Sequence, residues 1–134
     1  MRLEGKVALI TGGARGMGAV EAKMFAQEGA KVAIADVKEE EGRKVEAEIT
    51  EAGGEAMFVR LDVTQEENWK EAIDRVVDRF GKLNVLVNNA GLSGRSYPDI
   101  SSADGWDRIM EINAKGVFLG TKHAVPKMVE AGGG

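Results

Sequence analysis

The chain has 134 residues, of which 43% are apolar and 30% charged, with a formal net charge of -4 and no cysteine. That is enough for one domain with a real core, spanning residues 1–134, but short for a complete two-half dinucleotide-binding enzyme. Lys and Arg scattered among acids offer nothing to nucleic-acid phosphates, no segment can span a bilayer, and without cysteine there is no disulfide, thiolate metal site or cysteine nucleophile. The N-terminal Met1-Arg2-Leu3-Glu4-Gly5-Lys6 carries an acid early and leads into only four strongly apolar residues, too few for a signal sequence, so a cytoplasmic location is expected.

Lys6 to Thr11 is a short Val/Leu/Ile-rich run, which predicts a strand buried on both faces. A helix follows from about Gly16, with Met17, Val20, Met24 and Phe25 expected as its buried stripe and Gly29 at a left-handed C-cap position. Strand two is Lys31 to Asp36. The charged segment after it carries Val45, Ile49 and Ala52 at helical spacing before Gly53-Gly54, and the run Lys38 to Lys44 reads as its solvated face. Ala56 to Arg60 predicts strand three, and Thr64-Gln65-Glu66-Glu67 a capping box. The third helix has the cleanest period, Trp69, Ala72, Ile73, Val76, Val77 and Phe80, closed by Gly81. Strand four runs through Val85-Leu86-Val87 into Asn88-Asn89-Ala90-Gly91. A polar loop with Gly94, Tyr97 and Pro98 leads to Ser101-Ser102 as N-caps of a long last helix reaching about Val129, with a kink expected at Pro126 and Trp106, Ile109 and Met110 expected in the core. Four strand-helix alternations without a hairpin signal predict an α/β fold, a doubly wound parallel sheet with right-handed crossovers.

In such a sheet, ligands lie over the C-terminal strand ends. Thr11-Gly12-Gly13-Ala14-Arg15-Gly16-Met17-Gly18, a G-x-x-x-G-x-G cluster between a strand and a helix, reads as a phosphate cradle. Gly12 allows the tight turn, Gly16 close approach of a pyrophosphate, and Gly18 close helix-strand packing. After strand two stands Asp36-Val37. The Asp36 carboxylate can accept both ribose hydroxyls of an adenosine and repel a 2'-phosphate, which favours NAD over NADP; the competing reading is a helix N-cap. Arg15, a cation in the cradle, pulls the other way, and Asp36 decides because a phosphate would meet its like charge. His123 is the sole histidine and is expected to be solvated; no metal site is expected.

Thr11 to Gly18, Asp36, Asp62-Val63, Asn88-Asn89-Ala90-Gly91 and Asn113 together resemble the short-chain dehydrogenase/reductase family, in order and over the whole chain. The resemblance implies a Rossmann-like sheet of strand order 3-2-1-4 with helices on both faces. It implies that Asp62 bonds the adenine edge, that Val63 adds backbone and apolar contact, that Asn88, Asn89, Ala90 and Gly91 shape the cleft beside the nicotinamide half, and that Asn113 helps to hold a water in a proton relay. From the residues alone, Asp62 is also compatible with an ordinary strand-to-helix turn, and Asn113 with a polar core contact or a bend.

One departure stands out. Enzymes of the family use a Ser and a Tyr-x-x-x-Lys pair after a fifth strand, whereas here the only tyrosine, Tyr97, has Ser101 four residues on and the chain ends in Gly132-Gly133-Gly134. The expected activity is hydride transfer between NAD and a secondary alcohol or ketone, with this chain as the cofactor-binding half. The rival is a stand-alone nucleotide-binding module, which the intact mass of the protein from its native source distinguishes. An uncovered fourth strand, together with Trp106, Ile109, Asn113 and Val117 on one stripe of the last helix and Phe118, Val125 and Val129 on a second, predicts a homo-oligomer.

Overall fold

The computed structural model describes residues 1–93 and 101–134, so the readings of Gly94, Tyr97 and Pro98 lie outside the described residues. Four strands, β1 Val7–Thr11, β2 Lys31–Asp36, β3 Glu55–Arg60 and β4 Val85–Val87, form a parallel sheet in the order β3-β2-β1-β4. Alternate strand residues feed two cores. On one face Leu9, Ala33 and Val59 pack with Trp69, Ile73 and Val76 of helix α3, Glu66–Phe80, and with Leu119 and Ala124 of helix α5, Gly116–Glu130. On the other, Ile10, Ile34 and Phe58 pack with Ala19 and Ala22 of helix α1, Gly16–Gln27, and with Val45 and Ile49 of helix α2, Glu39–Glu51. The sheet is thus doubly wound, with the expected strand order.

The period of α3 translates directly into burial: Trp69, Ala72, Ile73, Val76 and Phe80 are all buried, and Gly81 closes the helix at φ 86°. Gly29, at φ 93°, ends α1 as expected, its N–H donating to the Ala26 carbonyl at 3.0 Å while that of Ala30 donates to the Phe25 carbonyl at 3.0 Å.

Several expectations are overturned. In α1 the buried residues are Gly18, Ala19 and Ala22, while Met17, Val20 and Met24 are more than half exposed. Small residues let the helix axis approach the sheet, and the large side chains are left on the outer surface. Ala52 is the exposed C-cap of α2 rather than part of its buried stripe. The capping box does not form: the Thr64 hydroxyl donates to Asp62 Oδ1 at 2.7 Å, α3 starts after Gln65 without a side-chain cap, and Glu67 pairs with Lys70 at 2.9 Å. The N-cap position falls on Gln65, and the Thr64 side chain is turned back to the Asp62 carboxylate, so its oxygen accepts no N–H from the first turn of the helix.

The long last helix runs from Ala103 to Glu130 as expected but is not α-helical throughout. Helix α4, Ala103–Met110, capped by Ser102 accepting the Gly105 N–H at 3.0 Å, passes through a π-helical turn, Glu111–Lys115, into α5, which runs through Pro126. At the π turn the helical hydrogen-bond ladder slips by one residue. Trp106 and Met110 are exposed and Ile109 only half-buried, so this segment adds little to the core. His123 is not solvated either: its ring is half-buried with Nε2 2.8 Å from Glu66 Oε2.

Candidate dinucleotide site

The loops after all four strands meet over the C-terminal edge of the sheet. A cleft of about 300 Å³ lies there, lined by Gly12 and Arg15 from the first loop, Asp36 and Val37 from the second, Asp62 and Val63 from the third, and Asn89, Ala90 and Gly91 from the fourth. Nine of the expected binding residues thus share one cavity of the size class that takes small ligands. Gly16, Met17 and Gly18 do not line that cavity, and Met17 is exposed.

Three features make the first loop a cradle. Gly12 sits at φ 63°, and a Cβ there would meet the Ala90 backbone and Asn89 Nδ2 at 3.0 Å. A Cβ on Gly18 would come within 2.6 Å of Asn89 Nδ2 and closer still to the Gly12 carbonyl oxygen, so only glycine lets α1 start directly behind the turn. Gly16, at φ 58°, has open space where its Cβ would be, room for a ligand to approach bare backbone. The electrostatics agree: α2, α3 and α4 carry Asp or Glu in their first turns, whereas α1 carries none and has no side-chain cap. Its positive end is left uncompensated for an anion.

Asp36 does not cap α2, whose N-cap is Lys38. Its carboxylate faces the cradle: Oδ2 accepts the Ala14 N–H at 3.1 Å and Oδ1 the Lys38 N–H at 3.0 Å. Asp62 both lines the cleft and closes the turn into α3. Its Oδ1 accepts the Thr64 N–H at 3.0 Å, while its own N–H donates to Asn68 Oδ1 at 3.2 Å. Val63 is buried, its carbonyl accepting the Trp69 indole N–H at 2.9 Å.

The fourth loop is bound to the first. Asn89 Nδ2 donates to the carbonyl oxygens of Thr11 at 3.0 Å and Gly12 at 3.2 Å, and the backbone N–H groups of Asn89 and Ala90 donate to Thr11 Oγ1 at 3.0 and 2.9 Å. Asn113, inside the π turn, holds the next residue along: Oδ1 accepts the Leu92 N–H at 2.8 Å and Nδ2 donates to the Leu92 carbonyl at 2.7 Å.

Leu92, Arg108 and Ile112 also line the cleft and escaped the sequence reading, as did Lys38 and Leu61. Lys38 and Leu61 border strand-end loops already identified. Arg108 and Ile112 carry no motif and reach the cleft only because α4 and the π turn fold back over it. Among the described residues no group of His, Cys, Asp or Glu could hold a metal ion, and no helix is long and apolar enough to cross a membrane.

A family profile described as short chain dehydrogenase matches residues 6–134. The chain is 50% identical to 2,5-dichloro-2,5-cyclohexadiene-1,4-diol dehydrogenase of Sphingobium indicum, over 99% of this chain and 53% of that protein. It is 48% identical to the 3-alpha-(or 20-beta)-hydroxysteroid dehydrogenase of Mycobacterium tuberculosis, over 99% of this chain and 50% of that protein. A crystal structure of hydroxysteroid dehydrogenase from Escherichia coli superposes with a TM-score of 0.92 at 35% identity, covering 99% of this chain and 56% of the other. The chain spans about half the length of the curated relatives it matches. With its parallel sheet, glycine turn and meeting loops, the chain belongs to the short-chain dehydrogenase family.

Proposed function

We propose that these residues form the cofactor-binding unit of an NAD-dependent oxidoreductase that moves a hydride between NAD and a secondary alcohol or ketone. One observation carries the reading: an uncompensated helix N-terminus behind a glycine turn faces, across one cleft, a carboxylate at the end of the neighbouring strand. The turn of Gly12, Arg15, Gly16, Met17 and Gly18 takes the pyrophosphate, with Arg15 adding positive charge. Asp36, with Val37 beside it, takes the adenosine ribose, Asp62 and Val63 the adenine, and Asn89, Ala90 and Gly91 the nicotinamide half. Asn113 enters as a positioning residue for the proton relay, its amide committed to the Leu92 backbone. When bound, the dinucleotide supplies the hydride acceptor or donor; the residues of this chain bind and orient it.

The names of the relatives, dehydrogenases of a cyclohexadienediol and of hydroxysteroids, support an alcohol substrate class. Neither the Ser nor the Tyr-x-x-x-Lys pair is present, so the 134-residue chain by itself binds cofactor without turnover. The acidic, cysteine-free composition keeps the cytoplasm as the proposed location. A second copy of the chain is the proposed partner, seated on the outer face of α4 and α5, where Trp106 and Phe118 are 63% and 62% exposed.

Titration of NAD and NADP into the wild type and Asp36→Ala tests the assignment. The variant binds NAD more weakly and discriminates less against NADP, since the hydrogen bonds and the repulsive charge are lost together. An unchanged ratio of the two dissociation constants removes Asp36 from the ribose site.

A further inference from the structure

The pairing of β1 with β2 ends at Thr11 opposite Ala35, but the hydrogen bonding does not. Two residues past the strand, the Gly13 N–H still donates to the Ala35 carbonyl at 3.3 Å. Ala14 is next, only 4% exposed, and its N–H donates instead to the Asp36 side chain. The carboxylate thus adds a rung to the ladder beyond the point where backbone pairing stops, and through its other oxygen it holds Lys38 at the entrance to α2.

From this we infer that Asp36 is a positioning residue for the phosphate cradle, fixing residue 14 of the turn as well as facing the ribose. The inference rests on the cradle reading proposed above. A carboxylate offers about four acceptor positions, two on each oxygen. The two backbone N–H groups occupy one on each oxygen, which leaves one on each for ribose hydroxyls, so the two tasks are compatible. They are also coupled: a residue without a properly placed acceptor leaves the buried Ala14 N–H unpaired and loosens the turn that must present its N–H groups to phosphate. Exchanging Asp36 to alter the choice between NAD and NADP therefore also changes phosphate affinity, which a pure ribose contact would not do.

Inorganic pyrophosphate, which has no ribose, separates the two tasks. The 134-residue chain is labelled with nitrogen-15 and titrated with pyrophosphate as wild type, Asp36→Asn and Asp36→Ala, and amide hydrogen exchange at Ala14 is followed in each. Both variants lose the charge, but Asn keeps one acceptor oxygen, so their difference isolates the hydrogen bond. The expected result is an Ala14 amide that is protected in the wild type and exchanges about tenfold faster in Asp36→Ala. Pyrophosphate should bind the Ala variant several-fold more weakly than the Asn variant. Failure of the wild type to bind pyrophosphate sinks the cradle, and this inference with it. Equal pyrophosphate affinity in the two variants, or an unprotected Ala14 amide in the wild type, overturns the positioning role alone and leaves the cradle standing.

Discussion

Thr11 and Asn89 hold each other reciprocally: the Asn89 backbone N–H donates to the Thr11 hydroxyl at 3.0 Å, and Asn89 Nδ2 donates to the Thr11 carbonyl oxygen at 3.0 Å. With the Ala90 N–H also on that hydroxyl, which itself faces the Val87 carbonyl at 3.3 Å, one side chain that is 1% exposed joins the loops after β1 and β4. Thr11→Val keeps the shape and strands the Ala90 N–H, while the Asn89 N–H keeps its second acceptor, the Val87 carbonyl at 3.0 Å, so the cost is about 1–3 kcal/mol for the one orphaned donor. Thr11→Ser keeps the hydroxyl and loses one methyl group, roughly 0.8 kcal/mol. Urea unfolding should rank Val below Ser, and the reverse order would show that packing, not hydrogen bonding, is what Thr11 supplies.

Two glycines of the cradle should respond differently to alanine. At Gly18 the added methyl runs into the Gly12 carbonyl and Asn89, groups that cannot move without opening the turn, so Gly18→Ala should unfold well below the wild-type temperature. At Gly16 nothing lies within 4 Å of the new methyl and only the left-handed backbone resists it, roughly 1–2 kcal/mol. Gly16→Ala should stay folded and lose NAD, because the methyl occupies the approach to the backbone. Thermal melts with NAD titrations read both outcomes.

Glu66 ties the start of α3 to the middle of α5. Lys122 Nζ and His123 Nε2 each lie 2.8 Å from Glu66 Oε2, and the Lys122 hydrogen bond, followed by that of His123, lowers the carboxyl from 4.5 to about 2. A carboxylate with a lowered pKa stabilises the fold above its unfolded value and loses that contribution as pH falls through the folded one. The stability gap between wild type and Glu66→Gln should therefore be full at about pH 6 and close as the pH falls from 4.5 toward 2. Because the pair is exposed, high salt should narrow the gap as well. A gap independent of pH would mean that the carboxylate is not what links the helices.

The proposed pairing of two chains can be assigned to a surface. Phe118→Lys removes an exposed anchor from α5, whereas Val87→Lys places charge on β4, which stands at the edge of the sheet. Light scattering at micromolar concentration should give a dimer that Phe118→Lys dissociates; dissociation by Val87→Lys alone would move the interface to the strand edge. A wild-type monomer would remove the pairing altogether.

Local pattern determined a good deal of this protein. The α3 period, the glycines that end helices at Gly29 and Gly81, the Ser102 cap and the strand-helix alternation each depend on residues within a few positions of one another, so the chain displays them directly. That Asp36 and the glycine turn share one cleft is legible for the same reason: each sits at a strand end, and strand ends of a parallel sheet converge. What the tertiary structure alone decided was contact across distance and the choice of face. Hydrophobicity placed Met17, Val20 and Met24 inward, but close approach of helix to sheet rewards small size, and Gly18, Ala19 and Ala22 took the interface. Hydrophobicity also placed Trp106 in the core, where the structure leaves it exposed. The Thr11–Asn89 and Glu66–His123 contacts join positions 78 and 57 residues apart, and the Ala14–Asp36 contact spans 22. Hydrogen-bond partners of that kind are set by where the folded backbone returns, which residue spacing along the chain does not encode.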